Sequence, residues 1–128
     1  MSAPWPEGVR WLRWDEDGER EIAERDRPVL VYVLDPLDPL LPLHRAVFEA
    51  IPRNARLRVL LREIFPALFL EKPETPELIR AFGAGERYHL AILSPHGFNP
   101  LVTFDPTRGT AEDVVDEIAR VLEALAKA

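Results

Sequence analysis

Four side chains in this 128-residue sequence are candidates for binding a metal or exchanging protons: Asp35, Asp38, His44 and His89. Carboxylate oxygens and imidazole nitrogens are ligands for divalent metals, and an imidazole beside a carboxylate can also act as an acid–base pair. The spacing contains no metal motif such as His-x-x-x-His, so a site requires the fold to bring these residues together. The hypothesis fails if their side-chain nitrogen and oxygen atoms lie more than about 8 Å apart, because a metal–ligand bond spans only about 2 Å.

Each of these residues also has a simpler structural interpretation. Asp38 followed by Pro39 is a favoured helix start, in which the aspartate caps the helix and the proline occupies its first position. Asp35 before Pro36 can accept backbone hydrogen bonds in an Asx-turn, and both histidines can be half-exposed surface residues. The sequence leaves the chemical and the structural interpretations open.

Several classes of chemistry are excluded or disfavoured by what the sequence lacks. It contains no cysteine, which excludes disulfides, thiolate metal sites, Fe–S clusters and cysteine nucleophiles. Ser2 and Ser94 are its two serines, and neither lies in a Gly-x-Ser-x-Gly turn, so a serine hydrolase is not expected. The glycine cluster at residues 83–85 follows a predicted helix rather than preceding one, unlike a phosphate loop. His96 lies in a predicted turn and is expected to be exposed. We predict no cofactor and favour a binding protein over an enzyme.

The charge and composition narrow the possible partners and surroundings. With 16 Lys and Arg residues against 22 Asp and Glu, the net charge is −6, which disfavours nucleic acid and anionic membranes as partners. No signal peptide or membrane-spanning apolar run is recognisable, so we expect a soluble cytoplasmic protein. We expect one domain over residues 1–128 with a flexible tail at 1–8. The absence of glutamine and the 13 prolines predict a thermophilic source.

Periodicity predicts alternating strands and helices along the chain. The run at 29–34 is apolar on both faces, which is typical of a central strand covered by helices from both sides. The other predicted elements are a strand at 8–14, a helix at 16–25 capped by Asp15, a strand at 67–71, a helix near 75–83, a strand at 88–93, a return strand at 99–104 and a last helix capped by Thr110.

Two helical pieces are predicted between the second and third strands. The first begins at Asp38, buries Leu40, Leu43, Val47 and Ile51, and stops or kinks at Pro52. Residues 57–65 fit a second helix, although 57–61 also fit a short strand.

This order of elements describes an α/β fold, a three-layer α/β/α sandwich with a mixed sheet of about five strands, a C-terminal β-hairpin and a helix. The order resembles the thioredoxin-like fold family, as does the step from Ala23 through Arg27-Pro28 into the central strand. The resemblance places residues 37–40, Leu-Asp-Pro-Leu, where thioredoxins carry Cys-Gly-Pro-Cys. It also places His89 near the position of a family cis-proline that this sequence lacks. Because both functional motifs are missing, the resemblance implies no thiol–disulfide exchange.

The resemblance implies a binding face at the carboxyl end of the central strand, where open α/β sheets place their ligands. The candidate residues of this face are Asp35, Leu37, Asp38, Pro39, Leu40, Leu41, Tyr88 and His89. The leucines either form an exposed platform for a protein partner or a second copy of the chain, or they pack inward. We therefore predict a redox-inactive module for protein binding or self-association. The alternative is a metal-binding protein or small-molecule enzyme that uses Asp35, Asp38, His44 and His89.

Overall fold

A five-stranded mixed sheet forms the middle layer of the protein, in a computed structural model that describes residues 9–71 and 89–127. Its strands lie in the order β1-β3-β2-β4-β5, in which β1, β3 and β2 run parallel, β4 is antiparallel to β2, and β5 is antiparallel to β4. The strands are β1 (Trp11–Leu12), β2 (Val29–Leu34), β3 (Ala67–Glu71), β4 (Leu90–Leu93) and β5 (Pro100–Thr103). The central position of β2 agrees with its run of buried β-branched residues.

Helices cover both faces of this sheet. Helix α1 (Glu16–Arg25) packs on one face through Ile22, and α2 (Leu41–Ala50), α3 (Ala55–Glu63) and α4 (Ala111–Lys127) pack on the other. A short 3₁₀ turn, Ile51–Arg53, lies between α2 and α3, where proline was expected to interrupt the helix. The predicted α/β class with three layers, five strands and a C-terminal hairpin and helix is confirmed, and the ambiguous second piece is a helix.

The caps that the sequence predicts for the first and last helices are present. The carboxylate of Asp15 accepts a hydrogen bond from the backbone N–H of Gly18 at 2.8 Å. At the start of α4, the N–H of Asp113 donates to Thr110 Oγ1 and the N–H of Thr110 donates to Asp113 Oδ2, each at 3.1 Å. These reciprocal bonds explain why α4 begins directly after Thr110.

Helix α2 differs from the prediction in both its start and its buried face. The predicted cap at Asp38 with Pro39 as first helical residue is wrong, because α2 begins at Leu41 with Leu40 at the cap position. Its buried side chains include His44, Val47 and Phe48, whereas Leu43 is exposed. His44, Val47, Phe48 and the following Ile51 also have helical spacing, so the sequence pattern permits either face. Because the chain makes two turns before the helix begins, His44 and not Leu43 faces the sheet.

Other differences are smaller. Strand β1 comprises two residues instead of the seven predicted, although Val9 just before it is also buried. The helix predicted near 75–83, Tyr88 and the tail at 1–8 lie outside the described residues. No helix within the described ranges is long and apolar enough to cross a membrane.

The strand pairing brings three connections to one edge of the sheet. Tyr32, near the end of β2, pairs with Leu90 at the beginning of β4, and Ala91 pairs with Thr103 at the end of β5. The residues after β2, before β4 and after β5 therefore meet at this edge.

Candidate functional site

Two consecutive tight turns connect β2 to α2, where the sequence repeats Asp-Pro-Leu at residues 35–37 and 38–40. The N–H of Asp38 donates to the carbonyl of Asp35 at 3.1 Å, and the N–H of Leu41 donates to the carbonyl of Asp38 at 3.0 Å. In each turn the carboxylate also accepts from the leucine N–H two residues on, at 3.0 and 2.8 Å. Aspartate at the first position and proline at the second are favoured in such turns. The repeat therefore gives the segment a defined shape.

The outer surface of residues 36–43, called here the leucine segment, is apolar and exposed. Leu37 is 90% exposed, Leu40 is 42% and Leu43 is 41%, and the three prolines between and beside them are exposed as well. Of the two arrangements that the sequence left open, Leu37 and Leu40 adopt the exposed one, which also places Leu40 outside the buried face expected for the helix, while Leu41 is only partly exposed. A run of adjacent exposed leucines requires an explanation that a single exposed leucine does not.

Asp38 is the single charged residue of the leucine segment, and its side chain turns inward, where it is 11% exposed. Its Oδ1 atom accepts the hydrogen bond from Leu40 N–H at 2.8 Å. Its Oδ2 atom lies 2.8 Å from Nε2 of His89 and 3.5 Å from Nε2 of His44. The carboxylate therefore leaves the outer surface of the segment uncharged and places its charge beside two imidazoles.

His44 lies in the first turn of α2 and is 4% exposed, so the expectation of a half-exposed surface histidine is wrong for this residue. Its ring meets the ring of Tyr32 edge-on, with the centroids 6.4 Å apart. Burial, followed by the nearby imidazole of His89, lowers the pKa of His44, which Asp38 only partly offsets. This shift favours the neutral imidazole, which is the form that coordinates metals.

His89 immediately precedes β4 and is half-buried, as predicted. Its carbonyl accepts a hydrogen bond from Val33 N–H at 2.7 Å, which continues the pairing of β4 with β2 by one residue. Its Nδ1 atom lies 3.4 Å from the carbonyl oxygen of Val33, and its ring centroid lies 4.5 Å from that of His44. This strand pairing fixes the ring against Asp38.

Three of the four predicted metal or acid–base residues thus converge. One ligand atom from each of Asp38, His44 and His89 lies within 4.8 Å of the other two. Asp35 does not belong to this group, and its carboxylate accepts the Asx-turn hydrogen bond from Leu37 instead. Tyr88, predicted for the same face, lies outside the described residues. His96 is exposed as predicted. Its Nε2 atom lies 2.5 Å from Oδ1 of Asp26, the residue that follows α1.

An open cleft of about 430 Å³ lies in front of the two histidines. Leu40 lines one part of it, and the end of β5 with the connection that follows lines another, through Thr103, Asp105 and Arg108. The carboxylate of Asp105 accepts hydrogen bonds from the side chain and the backbone of Thr107, and these bonds lower its pKa. The sequence analysis did not predict that residues after β5 line the cleft. The predicted hairpin could have indicated it, because its second strand returns to the edge where β2 ends.

The sequence was also compared with known proteins. It matches no protein-family model and no curated protein. The features that bear on function are therefore the leucine segment, the Asp–His cluster beneath it and the cleft beside both.

Proposed function

We propose that this chain is a protein-binding module on a redox-inactive thioredoxin-like scaffold, and that its leucine segment contacts the same segment of a second copy. The observation that carries the proposal is the uncharged surface of residues 36–43. Three leucines on it are between 41% and 90% exposed, and the one carboxylate turns inward. Apolar surface of this kind on an otherwise charged protein is typical of an interaction site.

The charge distribution within the segment permits a second copy as the occupant. Two molecules that each carry a net charge of −6 repel one another at long range. The leucine segment itself presents no carboxylate outward, because that of Asp38 accepts from Leu40 N–H and faces His89. A two-fold contact between two such segments is therefore apolar against apolar.

The tandem turns favour binding by the same segment. Each turn is held by a backbone and a carboxylate hydrogen bond, and proline restricts the backbone in both. Little conformational entropy remains to be lost when a partner binds. Eight residues are fewer than the roughly 20–30 per side of a stable interface, so we expect a weak, concentration-dependent dimer.

Light scattering over a wide range of protein concentration tests the proposal. We expect the wild-type mass to rise from one chain toward two, and the double variant Leu37→Asp, Leu43→Asp to stay at one chain. Both leucines are exposed and outside the buried core, so we expect the variant to retain the fold.

The chain offers a control in Val59 and Leu101, which lie on other elements and are 46% and 49% exposed, close to Leu43 at 41%. The variant Val59→Asp, Leu101→Asp should associate like the wild type. A wild-type protein that stays monomeric at the highest concentration, or a control that loses association equally, overturns the proposal.

A further inference from the structure

The two ring nitrogens of His89 each face a hydrogen-bond acceptor. Nδ1 faces the carbonyl oxygen of Val33 at 3.4 Å, and Nε2 faces the carboxylate of Asp38 at 2.8 Å. Both neighbours are acceptors, whereas a neutral imidazole carries a single N–H. A ring with its proton on Nε2 donates it to Asp38 at 2.8 Å, whereas a ring with its proton on Nδ1 leaves Nε2 free to share a cation with Asp38. With Nδ1–H toward Val33, Nε2 has its lone pair directed at the cluster, which is the usual arrangement of a metal-bound histidine.

The other two side chains are positioned for the same cation. Nε2 of His44 approaches the Oδ2 atom that Nε2 of His89 also approaches, at 3.5 Å and 2.8 Å. Ligand atoms that share one ion with bonds of about 2.1 Å lie about 3.0–3.4 Å apart in octahedral or tetrahedral geometry. The observed separations bracket that range. The Leu40 N–H on Oδ1 orients the carboxylate so that Oδ2 points inward.

A second His–Asp contact in the protein shows what an ordinary surface pair looks like. His96 and Asp26 approach within 2.5 Å, but their side chains are 81% and 65% exposed. The Asp38 cluster differs from this pair in having a third ligand and in being largely buried. Burying two imidazoles around one carboxylate removes the water that would otherwise solvate them, which costs free energy. A bound cation would compensate that cost.

The cleft supplies access for the ion and room for a further ligand. His44 and His89 both line its floor, so the inner cluster is reached from solvent through it. Three protein ligands leave at least one coordination position for water or a small molecule, as in catalytic rather than structural metal sites.

We propose that Asp38, His44 and His89 bind one divalent transition-metal ion of the zinc class, with an open coordination position toward the cleft. Two imidazoles and one carboxylate favour Zn²⁺, Co²⁺ or Fe²⁺ over Mg²⁺ and Ca²⁺, which prefer oxygen ligands. This inference is independent of self-association, because it uses the inward side of the segment and not the exposed leucines.

Titration of the metal-free full-length chain with Co²⁺ tests the site, since protein-bound Co²⁺ gives visible absorption that depends on its ligands. We expect saturation at one Co²⁺ per chain and displacement by Zn²⁺. Asp38→Asn and His89→Gln should each weaken binding by at least about 100-fold, because loss of an outer contact alone commonly weakens it 10–100-fold. His96→Gln is the matched control and should bind Co²⁺ like the wild type.

Circular dichroism of each variant establishes that it is folded. Asp38→Asn preserves the size and the acceptor oxygen that Leu40 uses, so it gives a readout even if His89→Gln does not fold. Folded wild-type protein without Co²⁺ absorption overturns the proposal and leaves a proton between His89 and Asp38. The proposal is also overturned if Asp38→Asn leaves Co²⁺ binding unchanged, or if His96→Gln removes it.

Discussion

The two faces of the sheet bury different kinds of groups. The cluster on the α1 side consists of apolar residues only: Leu12, Ile22, Val29, Val31, Val33, Leu68, Leu70, Ala91 and Leu93. The cluster on the side of α2, α3 and α4 adjoins the buried His44 and contains two buried atoms without a hydrogen-bond partner among the described residues, Tyr32 Oη and Trp11 Nε1. Buried polar groups that lack partners cost free energy. Tyr32 and Trp11 belong to the face whose edge carries the cleft.

Because of this difference between the two faces, neighbouring residues of one strand contribute either to the apolar core or to the side of the sheet that carries the cleft. In β3, Leu68 points to the apolar cluster and the next residue, Phe69, points to the other one, where it stacks on Tyr32 with centroids 6.0 Å apart. Side chains that alternate along a strand serve opposite faces. A strand can therefore supply a tightly packed core on one side while its end positions chemical groups on the other.

The largest effect is expected on the apolar side, from Leu68→Ala. Leu68 is fully buried and pairs in register with Leu12 and Val31, so its truncation leaves a cavity that its neighbours cannot fill. We expect a loss of about 2–5 kcal/mol in the free energy of unfolding, measured by urea denaturation. Co²⁺ binding by the folded fraction should be unchanged. A loss of Co²⁺ affinity in this variant would show that the two faces are not independent.

A smaller effect of opposite sign is expected from Tyr32→Phe on the other side. Burial raises the pKa of Tyr32, so its hydroxyl stays protonated, and that hydroxyl has no partner among the described residues. The ring contacts with Phe48 and Phe69 survive the change. We expect stability to rise by about 1 kcal/mol, because the cost of an unpaired buried hydroxyl disappears. Urea denaturation measures this, and a loss of stability would mean that the hydroxyl does have a partner.

The sequence predicts the apolar side better than the other. The β-branched run of β2, the bounds of β3 and the cap of α1 follow directly from residue types, because they depend on local patterns. A meeting of His89 with Asp38 was one of the alternatives that the sequence left open, and the pairing of β4 with β2 produces it here. Such long-range contacts become predictable only once the order of the strands is assumed.

The burial of His44 could not be predicted for a different reason. Leu40, Leu43, Val47 and Ile51 form an apolar helical face that is more hydrophobic than the one the protein buries. The two turns between β2 and α2 fix where the helix begins, and the start of a helix determines which residues of its first turn face the sheet. Hydrophobic periodicity alone selects leucine for that position, so a histidine there is a departure from the packing rule. Such departures are expected at functional sites.

The smallest change in stability, and the sharpest test of that departure, is expected from His44→Leu. Leucine fills a similar volume and removes a buried polar ring, while Asp38 keeps its contact with His89 at 2.8 Å. We expect the metal-free protein to change by less than about 1 kcal/mol in either direction, because the cost of burying the ring offsets its contacts. Saturating Zn²⁺ at about 100 times its dissociation constant should stabilise the wild type by about 2.7 kcal/mol and the variant by far less. Thermal unfolding of both proteins with and without Zn²⁺ measures the two effects separately. If His44→Leu instead destabilises the metal-free protein by several kcal/mol, the histidine is a structural part of this face, and the contrast between the two sides of the sheet does not separate stability from function.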